Sequence, residues 1–334
     1  MQKLQTLYLK PYFWENRFIN MFKKILRFVL ILVLLAVLIP VGIVFFRPSL
    51  IVSKDVVKKD FTQQNSHFYK WRGADIHYID EGQGPTILMI HGFGGHHRNF
   101  QKLADELKGE YRVVRIDLPG FGLSDCPEPQ DPAHPHFAKM YRDFMHDFID
   151  TAHLDSMYVI GNSMGGMIAW NLAVYRPEKV KKLVLLGSAG YDLEKVAKGL
   201  TIIKYSWIGK VFERGMPSFM SESGARRCYA DESKLDMAEV ARNNEMSNRE
   251  GNLLHMLAMA RDTEFPDTAL IKQVKCPTLI IWGKEDKIVP VEHAARFKRD
   301  IPDSKVIYYS PCGHVPMIER TEDVKRDFLE FVKE

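Results

Sequence analysis

Beyond residue 62 the chain alternates short apolar runs with amphipathic stretches. Thr86–Ile90, Tyr111–Ile116, Met157–Ile160 and Lys182–Leu186 are nearly continuous apolar runs, as in parallel strands covered on both faces. Phe68–Trp71 and Asp75–Ile79 flank an Arg72-Gly73 turn and read as an opening antiparallel pair. Helical patterns fall between the strands over Asn99–Lys108, Ala138–Ala152 and Gly166–Tyr175, the last stopped by Arg176-Pro177. Two later strands, Thr278–Trp282 and Lys305–Tyr309, bracket a helix His293–Arg299, and a final helix covers Glu322–Val332. This alternation predicts an α/β fold with a doubly wound, mostly parallel sheet.

Two stretches break the pattern. Residues 191–265 hold helical segments, no strand, and many methionines, among them Met216, Met220, Met237, Met246, Met256 and Met259. Helices inserted there would cap the strand ends, where open α/β sheets bind ligands. Methionine-rich faces adapt to varied apolar ligands, which makes Met216 and Met220 candidates for substrate contact.

The other break is FVLILVLLAVLIPVGIVFF, residues 28–46, without a charge. A helix of this length spans roughly 28 Å, close to the hydrocarbon core of a bilayer. A signal peptide would have a short basic start and a small-residue cleavage site, and neither is present. The expectation is therefore one uncleaved transmembrane anchor. Basic and aromatic residues in 1–27, such as Tyr12, Trp14 and Phe18, suit a segment lying on the membrane surface. Six Lys/Arg precede the span, and Arg47, Lys54, Lys58 and Lys59 follow it. That bias favours a cytoplasmic N-terminus and a catalytic domain on the outer face. The expected organisation is an N-terminal segment 1–27, an anchor 28–46, a linker 47–62, a core of 63–190 and 266–334, and a helical cap 191–265.

At 334 residues, 46% hydrophobic and 26% charged, the composition is that of a globular protein, and a net charge of +4 is too small to argue for nucleic acid. Cys126, Cys228, Cys276 and Cys312 form no C-x-x-C pair, which leaves free thiols as the expected state. Cys312 stands two residues before a candidate catalytic histidine, so thiol reagents are expected to obstruct the site. His96-His97 and His134-Pro135-His136 lack metal-ligand spacing, and no metal or other cofactor is expected.

The strongest chemical signal is Gly161-Asn162-Ser163-Met164-Gly165, a G-x-S-x-G turn between a strand and a helix. Such a turn holds a serine on a strained bend with its hydroxyl exposed. His91-Gly92-Phe93-Gly94-Gly95 follows the Thr86–Ile90 strand, where the Phe93 N–H, together with that of Met164, can face a developing oxyanion. Gly283-Lys284-Glu285-Asp286 follows another strand and offers a carboxylate to orient a histidine. Asp286 is the first choice, with Glu285 and Asp192 as competitors. Cys312-Gly313-His314 follows the last strand and supplies the imidazole.

The order Ser163, Asp286, His314 resembles that of the α/β-hydrolase superfamily. The resemblance covers about residues 60–334 and includes Asp117-Leu118-Pro119-Gly120-Phe121-Gly122-Leu123-Ser124, a D-x-P-G-x-G-x-S loop. The G-N-S-M-G-G elbow is similar to that of small bacterial esterases and lipases, and of hydrolases that cleave carbon–carbon bonds in ring meta-cleavage products. Asn99 resembles an asparagine those carbon–carbon hydrolases keep beside the oxyanion loop. The chain departs from them in lacking a Gly-Pro-Gly element and in having Val315, not tryptophan, after the histidine. The membrane segment is similar instead to anchored monoacylglycerol-lipase-like members. The resemblance implies a serine hydrolase acting on lipophilic carboxylic esters, with Asn99, Asn162, Met216, Met220 and Val315 near the substrate. Carbon–carbon bond hydrolysis is the second implied activity, and a non-catalytic binding protein on the same fold the third.

Overall fold

The computed structural model describes residues 10–46, 48–127, 136–191, 212–261 and 267–334. His134, Asp192 and part of the expected cap lie outside them. Contacts divide the chain into two units, 1–49 and 50–334.

The first unit is a helix, α1 (Lys10–Phe46). Its described apolar side chains, including Phe28, Leu30, Val33 and Leu35, are exposed. The transmembrane span expected over 28–46 is not reproduced: among the described residues no helix is long and apolar enough to cross a membrane. The continuous stretch of described side chains on α1, residues 18–36, includes Lys23, Lys24 and Arg27.

The second unit is built on an eight-stranded sheet in the order β1-β2-β4-β3-β5-β6-β7-β8. The strands are β1 (Ser66–Trp71), β2 (Ala74–Glu81), β3 (Thr86–Ile90), β4 (Arg112–Ile116), β5 (Met157–Asn162), β6 (Val180–Leu186), β7 (Thr278–Gly283) and β8 (Ser304–Tyr309). β2 pairs antiparallel with β1 and β4, and every other pairing is parallel. Arg72 and Gly73 both take positive φ, 47° and 82°, the conformation of a two-residue hairpin turn. Alternate strand residues enter two separate cores. Leu88, Ile90, Val159 and Leu185 pack with α4 (Phe137–Thr151) and α5 (Met164–Tyr175). Ile87, Met89, Ile160 and Leu186 pack with α3 (Gln101–Leu107) and the C-terminal helix Thr321–Lys333. Burial on both faces is why the strands read as unbroken apolar runs.

Between β6 and β7 the described cap helices are α6 (Ser218–Cys228), α7 (Met237–Ser247) and α8 (Asn252–Arg261). The expected linker 47–62 is in part structured. Ser53 caps a helix, α2 (Lys54–Phe61), whose Val57 is buried with Leu123 and Met246. With a single buried position, this turn of helix carries too little apolar periodicity to read as one.

Candidate active site

β5 ends at Asn162 and α5 begins at Met164, so Ser163 alone makes the turn. Its φ of 56° and ψ of −120° are sparsely populated for a residue with a Cβ, a strain of about 1–3 kcal/mol. Neighbouring hydrogen bonds pin it: Ser163 N donates to Leu186 O (3.1 Å), and Ser163 O accepts from Ala189 N (2.9 Å). The flanking glycines are required by close approach. A Cβ on Gly161 would lie 2.4 Å from Gly165 O, and one on Gly165 would lie 2.1 Å from Ile90 O.

Two loops converge on this turn. On one side, a Cβ on Gly92 would come 3.0 Å from Ser163 Cβ, so the His91–Gly95 loop passes directly beside the serine. Neither the Phe93 nor the Met164 amide donates to another described residue. On the other side stands His314, whose Nδ1 is 2.8 Å from Asp286 Oδ2. Asp286 is fixed in turn, because its Oδ1 accepts from Ile288 N (2.8 Å) and Val289 N (2.9 Å). Both side chains are almost wholly buried, which strengthens their interaction. A carboxylate at Nδ1 leaves the lone pair of Nε2 to take a proton. Asn162 ties the two sides together: its Nδ2 donates to His314 O (3.0 Å) and to Leu186 O (2.9 Å). Glu285, the competing acid, is used otherwise. It accepts from Ser310 Oγ (2.6 Å) and Cys312 N (2.8 Å), holding the backbone of the histidine loop.

The α/β hydrolase fold family model matches residues 85–321. The chain belongs to the α/β-hydrolase family. It is 30% identical to the 2-hydroxy-6-oxo-6-(2'-aminophenyl)hexa-2,4-dienoic acid hydrolase of Metapseudomonas resinovorans, over 84% of this chain and 95% of that one. Lipase 1 of Psychrobacter immobilis is also 30% identical, over 78% of this chain and 81% of the lipase. Among solved structures, a meta-cleavage product hydrolase from Pseudomonas fluorescens IP01 superposes with a TM-score of 0.68 at 25% identity, covering 80% and 97% of the two chains.

In this α/β-hydrolase the loops around the serine are braced by buried histidines. His91 bridges Gly92 O (2.7 Å) and Leu118 N (3.0 Å). Asp117 receives His77 Nδ1 (2.8 Å), His97 Nδ1 (3.0 Å), His97 N (2.6 Å) and Leu123 N (2.9 Å). Burial alone would raise its carboxyl, but His97 and His77 outweigh that and hold it well below the usual range. These three side chains are of metal-ligand type and lie close together, but both Asp117 oxygens already accept several donors, and the cluster serves as a clasp between β2 and two loops. No spacing rule marks it in the sequence, since its members are 20 and 40 residues apart.

The expected substrate contacts fare unevenly. Asn99 Oδ1 turns back to accept from His96 N (2.8 Å), closing a capping box that shapes the loop. Asn162 spends its amide on the brace described above. Met216 is tied through its backbone to Asn248, Met220 lies in the first turn of α6, and Val315 packs into the core behind the histidine. Gly94–Gly95 and Phe121 instead face the cap residues Asn243, Met246 and Met256 across a closely packed seam. Cys312 differs from expectation: it is fully buried, and its thiol is pushed up to about 12 by burial first and Glu319 second. Such a thiol is inert to reagents, so obstruction of the site through it is not expected.

Proposed function

We propose that this α/β-hydrolase is a serine hydrolase that cleaves carboxylic esters of lipophilic substrates through an acyl-enzyme. Ser163 is the nucleophile, His314 the general base and acid, and Asp286 the carboxylate that orients the imidazole. The reading is carried by the 2.8 Å Asp286–His314 hydrogen bond beside a serine in a strained elbow. His314 Nε2 takes the Ser163 proton as the hydroxyl attacks the ester carbonyl. The oxyanion rests on the Phe93 and Met164 amides, each donor contributing about 3–4 kcal/mol. His314 returns the proton to the departing alcohol and then activates the water that releases the acid, while Asp286 stays ionised.

The methionine-rich composition of the cap and the lipase relative support a lipophilic acyl group. A p-nitrophenyl ester series tests this: hydrolysis extending to chains of eight carbons and longer is expected, and activity confined to acetate refutes it. Carbon–carbon bond hydrolysis is the second reading, favoured by the dienoic acid hydrolase relative. Asn99, the residue that pointed to it in the sequence, is engaged with His96. Turnover of a vinylogous dienone at rates above the esters would reverse the order.

The proposal includes a membrane anchor in the N-terminal segment, with the N-terminus cytoplasmic and the catalytic unit on the outer face. The uncharged run 28–46 and the bare apolar side chains of α1 support it. Recovery of the full chain in a soluble fraction without detergent would refute it.

A further inference from the structure

Glu319 is a buried carboxylate without a part in the chemistry above. It closes the short helix α10 (Pro316–Glu319), five residues after His314 and following α9 (Glu292–Asp300) in the chain. Its two oxygens face different parts of the molecule. Oε2 accepts from Gly313 N (2.7 Å), the residue before the histidine. Oε1 accepts from Ala230 N (3.0 Å) and Asp231 N (3.1 Å), which follow cap helix α6. A second link runs beside it, from His314 N to Cys228 O (2.7 Å). Packing there is closed, since a Cβ on Gly313 would lie 2.3 Å from Cys228 O and 2.8 Å from Ala230 N. Lys234 Nζ adds a bond to Glu319 O (2.9 Å).

The backbone of the histidine loop is thus held by the cap as much as by the sheet. Asp286 orients the ring, Glu285 holds Cys312 N, and Glu319 holds Gly313 N only in company with the end of α6. We infer that Glu319 is a positioning residue that couples the cap to His314, so that the imidazole is in register with Ser163 only while residues 228–231 are seated. The inference rests on His314 being the general base. A buried carboxylate accepting three N–H groups satisfies donors that nothing else in the loop reaches. Its uncharged isostere cannot do so: a glutamine has one acceptor oxygen and must turn its NH₂ toward either Gly313 N or the cap. Displacement of a reacting group by about 1 Å costs on the order of 100-fold in rate.

The test compares Glu319→Gln, Ala230→Pro and the double variant by steady-state hydrolysis of p-nitrophenyl butyrate across pH. Ala230→Pro removes one N–H from the clamp after an extended residue, Tyr229 (φ −103°, ψ 143°), which tolerates a following proline. Glu319→Gln should lower kcat about 10- to 100-fold with KM within about two-fold, and displace the acid limb of the pH–rate profile. Ala230→Pro should lower kcat by a smaller factor, and the double variant should be little worse than Glu319→Gln, because both act on one unit. Ile149→Ala, which opens the core under α4 and removes no loop hydrogen bond, controls for general destabilisation. A folded Glu319→Gln with wild-type kcat overturns the inference, as do fully multiplicative losses in the double variant or an equal kcat loss in Ile149→Ala at matched stability. Wild-type protein without activity on any ester would defeat the hydrolase reading alone. Titration of the His314 ring by NMR would then decide the clamp, an unchanged curve in Glu319→Gln refuting it.

Discussion

Acidification tests the packing around the site, because three buried imidazoles are held neutral there. Burial lowers His91 to about 4, and His96 and His255 to about 3. Hydrogen bonding agrees: His91 Nε2 accepts from Leu118 N while Nδ1 faces Gly92 O, an arrangement open only to the neutral ring. In the unfolded chain each ring binds a proton near pH 6.5. Since the folded values are lowered, the unfolded state takes up more protons in acid, and stability falls as pH drops below about 6.5 toward the folded values. Since pH 5 lies about 1.5 below the unfolded value, keeping each ring neutral there costs about 2 kcal/mol, or about 6 kcal/mol for the three. That is a large share of the roughly 5–15 kcal/mol available to a typical domain. Urea unfolding followed by tryptophan fluorescence at pH 7.5, 6 and 5 measures it. The expected slope approaches three protons at pH 5, and His255→Gln should recover about one third of the loss. Stability constant within about 1 kcal/mol from pH 7.5 to 5 would refute the neutral-histidine packing.

Replacement of Asp286 by Asn should lower kcat by about 10⁴ by leaving His314 in the wrong tautomer, while Glu285→Gln should cost far less; steady-state kinetics of the pair would refute the assignment if the order were reversed. Gly165→Ala places a methyl 2.1 Å from Ile90 O, backbone against backbone, and should destabilise by about 3 kcal/mol or more. A thermal melt within about 2 °C of wild type would contradict that geometry. Deletion of residues 1–46 should move the protein from the membrane pellet to the supernatant with its esterase activity kept, and a truncated chain still in the pellet after alkaline carbonate would contradict the anchor.

The strands and the elbow were legible because each is a local pattern. β3 was foreseen with its bounds, and the other strands within a few residues, because burial on both faces leaves nearly unbroken apolar runs. Ser163 was legible because a tight strand-to-helix turn demands glycines at fixed offsets. The choice between Glu285 and Asp286 was not, since adjacent carboxylates differ only in which way the loop turns them. The structure separates them by partner, the imidazole for Asp286 and the backbone of Cys312 for Glu285. Glu319 and the His77–Asp117–His97 clasp were missed for a related reason. They act through contacts across 20 to nearly 90 residues of sequence, and no spacing rule marks such partners. α2 was missed because its single buried valine answers to Leu123 and Met246, far along the chain.

The central claim is that the hydroxyl of Ser163 is a nucleophile activated by His314. A fluorophosphonate, which phosphonylates only an activated serine, reads this directly by intact mass and peptide mapping. One adduct on Ser163, absent from Ser163→Ala and strongly slowed in His314→Ala, is the predicted result. An unmodified protein after prolonged exposure, or an adduct mapped to another residue, would contradict it.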